Sequence, residues 1–309
     1  MCIRDRSNGS GPLNNRILTA RGQIESLCGE YAVALPNLST ALRQMTPYRQ
    51  REKVRYSYAY TLATKAMALG DLGQFDQANE CFEEAEELTN GPVHQVQGSL
   101  MSMHAGVLLW QGNWETALYY ALLGIEAGER IGSRYIVASS TALAGYAKWR
   151  NGDQEATASV ADALKWIETQ RQVIWTSMHF SWLSEMAAAH GDVAATRHCA
   201  AWVLQRSRQR ERLGDATAFC ALAAVAEPST GLAQSYFEKA LRAAQRRGSP
   251  REEALVKFKQ TKWQMQTGQR LSDPKLLADC TASFAEMNMP WYTNEAQQLS
   301  TQLKQTPSS

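Results

Sequence analysis

Residues 101–130 read MSMHAGVLLWQGNWETALYYALLGIEAGER, and this stretch decides the fold. Met101, Ala105, Leu108 and Leu109 fall on one face at helical spacing. Gln111-Gly112-Asn113 then breaks the pattern, and Gly112 is free to take the positive φ that ends a helix. Trp114, Ala117, Leu118, Ala121 and Ile125 make a second apolar face. So short a connection implies an antiparallel helix pair.

The same phrase recurs along the chain. Gly29-Glu30-Tyr31 precedes Ala34, Leu38 and Ala41, and Gly73-Gln74-Phe75 precedes Ala78, Phe82 and Ala85. Gly152-Asp153, Gly191-Asp192-Val193, Gly231 and Gly268 divide four further pairs. Successive glycines, from Gly29 to Gly268, lie 44, 39, 40, 39, 40 and 37 residues apart. A period near 40 (by this spacing) held over seven units is the signature of a repeat array. The expected fold is therefore all-α: an α-solenoid of about seven antiparallel helical hairpins with a C-terminal capping helix. Breaker-rich links such as Asn90-Gly91-Pro92 and Gly248-Ser249-Pro250 separate the pairs. No strand-like alternation bounded by hairpin turns interrupts them.

Composition suits such an object. Hydrophobic residues make up 44% of the 309 and charged residues 20%, which is a folding composition rather than a disordered one. A net charge of +2 argues against nucleic acid as a partner. No apolar run approaches membrane-spanning length. Cys2, Cys28, Cys81, Cys199, Cys220 and Cys280 are scattered without a Cys-x-x-Cys pair, which reads as packing thiols in a reducing cytoplasm.

The pattern Gly-x-aromatic-x-x-Ala resembles the tetratricopeptide (TPR) repeat, best in the units of Tyr31, Phe75 and Trp114. Small residues belong where two helices cross closely, with a large ring plugging the gap beside them. Ala78 and Ala117 are thus expected at the closest crossings. Gly124 stands where the third unit's last alanine belongs, and the fourth unit lacks the aromatic. A finer resemblance is to the C-terminal arrays of bacterial multidomain signalling ATPases and class III adenylate cyclases. It rests on Gly-Glu-Arg-Ile-Gly at 128–132, its echo at 211–215, and an ending with Phe284, Met287, Met289, Pro290, Trp291 and Ala296. The resemblance implies a non-catalytic protein-interaction or regulatory module, its catalytic domain upstream. An effector-sensing domain of a transcriptional activator is the alternative, and an enzyme built as a helical toroid a weaker one. The opening Met-Cys-Ile-Arg-Asp-Arg resembles adapter read-through. Residues 1–12 are accordingly expected to be a non-native or disordered leader, 13–304 the array, and 305–309 a polar tail.

Site motifs are sparse. There is no GxxxxGK[ST], no GxSxG and no HExxH, so no catalytic, cofactor-binding or metal-ligating residues are expected. The glutamates at 80–87 and the arginines at 206–212 read as solvated faces. In tetratricopeptide arrays the first helix of each pair lines the concave groove. Carrying that register over places Tyr60, Met67, Ser102, Leu109, Tyr146, Trp149, Met178 and Glu185 toward it. An exposed strip of rings and methionines there would hold a protein or peptide partner, or the parent's own upstream domains.

Overall fold

A computed structural model describes residues 10–91, 94–170, 174–269 and 275–305. Fifteen α-helices, and no strand, occur among the described residues. Seven hairpins follow one another: α1 (Ser10–Cys28) with α2 (Tyr31–Met45), α3 (Glu52–Asp71) with α4 (Phe75–Thr89), and α5 (Gln95–Gln111) with α6 (Trp114–Arg130). Next come α7 (Arg134–Arg150) with α8 (Ala156–Glu168), α9 (Thr176–Ala189) with α10 (Val193–Arg208), and α11 (Asp215–Ala224) with α12 (Leu232–Arg247). Helices α13 (Pro250–Gln266) and α14 (Leu276–Glu286) form the last, and α15 (Pro290–Gln305) caps the stack. Helix α1 starts at Ser10, ahead of the expected Leu13. The remainder of the expected leader, 1–9, and positions 306–309 of the expected tail lie outside the described residues.

All seven dividing glycines have positive φ, from 66° at Gly268 to 100° at Gly152. The repeat alanines Ala34, Ala41, Ala78, Ala85, Ala117 and Ala121 are completely buried, and the rings of Tyr31, Phe75 and Trp114 are buried beside them. Small side chains let the paired helices approach, and the ring fills what they leave. The exception at Gly124 has a local cause. A Cβ there would lie 2.5 Å from Ser140 Oγ, because Ser140 and Ser102 hydrogen-bond to each other (2.6 Å) across that spot.

Winding brings the two ends of the array together along a seam. The turns of the first three hairpins rest on the connections of the last ones. The Arg212 backbone N–H donates to the Leu27 carbonyl at 2.9 Å, and Arg210 pairs with Glu30 at 2.5 Å. Gln111 donates to the Asn288 carbonyl, and the Gly112 turn packs on Trp291 and Tyr292. The arginine run is therefore partly seam and partly solvated face: Arg210 and Arg212 reach the first hairpin, Arg206 forms two hydrogen bonds to the buried Glu211 carboxylate, and Arg208 and Arg210 stay exposed.

A buried ion cluster closes the seam. Asp71, at the end of α3, accepts from Arg247, from Arg251 (2.6 Å) and from the Tyr31 hydroxyl. Arg247 also donates to Tyr31 (2.7 Å) and Glu252 (3.0 Å), and Ser249 Oγ–H donates to the Asp71 carbonyl (2.7 Å). Arg247 and Asp71 side chains are each 1% exposed. The two guanidinium groups hold the Asp71 carboxyl below its ordinary range against the opposing effect of burial.

Gly29 and Gly152 separate the two demands on a turn glycine. A Cβ at Gly29 would meet Arg247 Cγ at 2.6 Å, whereas nothing lies within 4 Å of one at Gly152. Gly152→Ala is expected to cost only the left-handed backbone penalty, about 1–2 kcal/mol. Gly29→Ala should cost about 1–3 kcal/mol more, through overpacking against the seam. Equal losses in denaturant melts would contradict the seam contact.

Candidate functional site

The inward faces of the first helices converge on two adjoining cavities. The first holds about 500 Å³ of unfilled space, including its open mouth. Tyr60 and Met67 from α3, Met103 from α5, Leu143 from α7, and Trp175 and Met178 at α9 give it apolar walls. The second is much tighter and is charged. Glu185 from α9 and Arg251, Glu252 and Lys259 from α13 line it, with Trp110, Tyr146, Trp182 and Tyr292 around them. Met178 belongs to both walls.

Seven of the eight expected groove residues fall on these cavities. Tyr60, Met67, Ser102 and Met178 line the apolar one, and Leu109, Tyr146, Met178 and Glu185 the charged one. Trp149 lies beside them, half-buried, its ring 5.5 Å from Tyr146. The strip is not an exposed surface, however. Met67, Leu109, Tyr146 and Met178 are all buried. Helices of up to 20 residues, wound until α13 faces α9, narrow the groove to a channel and press its opposite walls together.

A polar pair is set into the apolar wall. His179 Nδ1 lies 2.9 Å from the Trp175 carbonyl, which can only accept, so Nδ1 carries the proton. Its Nε2 then accepts from the Ser139 hydroxyl at 3.0 Å. Burial pushes the imidazole down to about 4, so it is neutral at pH 7. The geometry resembles a base with its nucleophile. Yet Ser139 sits mid-helix, where backbone N–H groups are spent on the helix itself, leaving no donors for an oxyanion. The pair satisfies itself and fixes the cavity wall. Trp175 reaches its place by adopting φ +66°, a strained conformation for so large a residue.

The charged cavity is held by pairs across the channel. Lys259 Nζ lies 2.8 Å from Glu185, whose carboxylate also accepts from Tyr146 (3.1 Å) and faces Arg150 at 3.8 Å. Those cations keep the Glu185 carboxyl below its ordinary range against burial. Arg251 stacks its guanidinium 4.8 Å from the Trp110 ring centre while reaching back to Asp71. Glu252 is pushed up to about 7, chiefly by burial.

Register reasoning missed the far wall. His179 follows Met178 and lies within reach of the same register, but Arg251 and Lys259 enter from a hairpin five units after that of Tyr60. Elsewhere, His104 and Glu86 pair at 2.8 Å between α4 and α5, with Tyr120 also donating to Glu86 (3.2 Å). Among the described residues no group of three or more metal-ligating side chains gathers, and no helix is long and apolar enough to cross a membrane.

No protein-family model matches the chain, and no curated protein does. Solved structures do. A Rap protein complexed with Competence and Sporulation Factor superposes with a TM-score of 0.63 at 13% identity, covering 96% of this chain and 79% of that one. The TPR2AB domain of yeast Sti1 complexed with pHSP90 also matches, at 19% identity over 79% of this chain and 99% of that one. Its TM-score of 0.32 is too low to bear on the comparison. At such identity the likeness defines the fold: a tetratricopeptide-like helical array.

The neutral His179 makes stability depend on pH in a set direction. Between its ordinary 6.5 and about 4 the unfolded chain binds a proton that the folded chain refuses. Stability should therefore fall as pH drops through that window. Melts of His179→Gln, in which the amide can still accept from Ser139, should show a shallower decline. An unchanged slope would mean that residue 179 titrates normally in the fold.

Proposed function

We propose that this chain is a non-catalytic interaction module that takes a peptide segment of a partner protein into its concave channel. The observation that carries this reading is the pair of adjoining cavities, one apolar and one charged, sharing Met178. Side chains from separate hairpins line them, so an extended segment would be read by several repeats at once. The Rap complex named above offers a precedent for a ligand held by this architecture. The finer part of the proposal follows the sequence resemblance: a cytoplasmic regulatory array belonging to a bacterial signalling ATPase or adenylate cyclase, with the catalytic output elsewhere in the parent.

A selection of random synthetic hexapeptides on the immobilised chain tests the channel. Enriched peptides are expected to quench or shift the fluorescence of Trp175, Trp182 or Trp110. Met178→Asp, placing a charge in the shared wall, should weaken them by about tenfold or more, since a buried unpaired charge is costly. Circular dichroism checks that the variant is folded. Failure to enrich any peptide, or binding indifferent to Met178→Asp, would overturn the reading.

A further inference from the structure

Residues 43–55 read RQMTPYRQREKVR and hold five cations, Arg43, Arg49, Arg51, Lys53 and Arg55, against one carboxylate, Glu52. The whole chain is only +2, so the remainder is net acidic. Among the described residues none of the five forms an ion pair. Arg43 meets Thr40 (3.4 Å), Arg49 donates to the Thr46 carbonyl (3.4 Å), and Arg51 lies over the Tyr48 ring at 4.7 Å. Arg55 stacks on Tyr56 and donates to its hydroxyl at 3.2 Å. Lys53 is exposed and bonds to none of these groups. Glu84, on the neighbouring α4, is engaged by the Tyr58 hydroxyl (3.1 Å). Helix α3 gains nothing from Lys53 and Arg55, since cations in a first turn stand at the positive pole of the helix.

The apolar cavity opens at the same rim of the array. Ile174 is its exposed lining residue, and the Tyr135 hydroxyl donates to the Ile174 carbonyl at 2.7 Å. Tyr135 stands at the start of α7 and Trp175 directly before α9, so the mouth lies at the N-terminal ends of the first helices. Lys53 belongs to the corresponding end of α3. Lys53, Tyr60 and Met67 follow at i, i+7 and i+14, on one face of that helix. Tyr60 and Met67 line the cavity. Lys53 therefore carries the channel face out past the mouth, about 10 Å along the helix axis from Tyr60. A segment leaving the cavity over α3 meets cations without carboxylate partners, and charge complementarity selects an acidic one.

We propose that the basic rim of α3 is a docking strip for an acidic stretch of the same segment whose apolar side chain enters the cavity, with Lys53 and Arg55 as the contacting cations. The spacing follows from the helix. An extended chain advances about 3.3 Å per residue, so about 10 Å sets the acid roughly three positions from the apolar side chain. The strip is short and the chain nearly neutral, whereas a nucleic acid asks for a broad basic face. The inference rests on the channel reading above and adds its specificity: Asp or Glu on one flank of a large apolar residue.

The test uses the full chain and an N-acetylated, C-amidated hexapeptide library, so that only side chains carry charge. Enriched peptides should hold Asp or Glu about two to four positions from a large apolar residue. Their binding should weaken as salt rises. Lys53→Glu, a change at an exposed position, should lower the preference for Glu over Gln about threefold or more while leaving the apolar preference in place. Lys53→Arg should keep the acidic preference. Enrichment of apolar residues without an acid, or an acidic preference that survives Lys53→Glu, overturns the strip and spares the channel. Binding of a short single-stranded RNA in place of acidic peptides, lost on Lys53→Glu, also overturns it. No enrichment at all sinks the channel reading, and this inference with it.

Discussion

The contact of Asp71 with Arg247 and Arg251 is the constraint on which the shape of this protein depends. Helical hairpins stacked only on their neighbours can follow any pitch that local packing tolerates. Here residues 176 and 180 positions apart are tied in a buried cluster, and the pitch is set. Removing charges from water is costly, and their mutual attraction repays that cost only when each lone pair and proton finds a partner. Tyr31, Glu252 and the Ser249 hydroxyl meet most of that requirement around Asp71 and Arg247, while the Nε atoms of Arg247 and Arg251 go without an acceptor. Such a cluster does little to raise stability over an apolar seam, but losing one member leaves a charge buried alone, a loss of about 3–5 kcal/mol. It is a device for register more than for strength.

Closure has a consequence for the channel. With the seam fixed, α13 is held opposite α9, and Lys259 meets Glu185 across the gap. Arg251 belongs both to the seam and to the charged cavity, one side chain serving the shape of the array and the lining of its interior. The apolar cavity lies farther along, walled by the earlier hairpins and stiffened by the Ser139–His179 pair. Polar order in the walls and apolar space between them are what the proposed reading asks of a channel that recognises side chains.

The hairpins were legible in the sequence because their causes are local. A glycine at positive φ, a ring two residues on, and alanines at helical spacing all lie within a few turns of each other. The inward faces of α3, α5, α7 and α9 were legible for the same reason. The seam was not. Nothing near Asp71 announces Arg247, and the arginines at 206–212 look like surface until Glu30 and the Leu27 carbonyl arrive from the first hairpin. Burial of Met67, Leu109 and Tyr146 depends on the same long-range winding, so an exposed strip was expected where a narrow channel exists. Gly124 looked like a flaw in the repeat and is instead the room that Ser102 and Ser140 need.

A double-mutant cycle between Asp71→Asn and Arg251→Gln, read in denaturant melts, is the most direct probe of the closed seam. The account predicts a coupling of about 0.5–3 kcal/mol between these two positions, far apart in sequence and joined only if the array closes. Losses that add to within about 0.3–0.5 kcal/mol would contradict it, since independent sites behave that way.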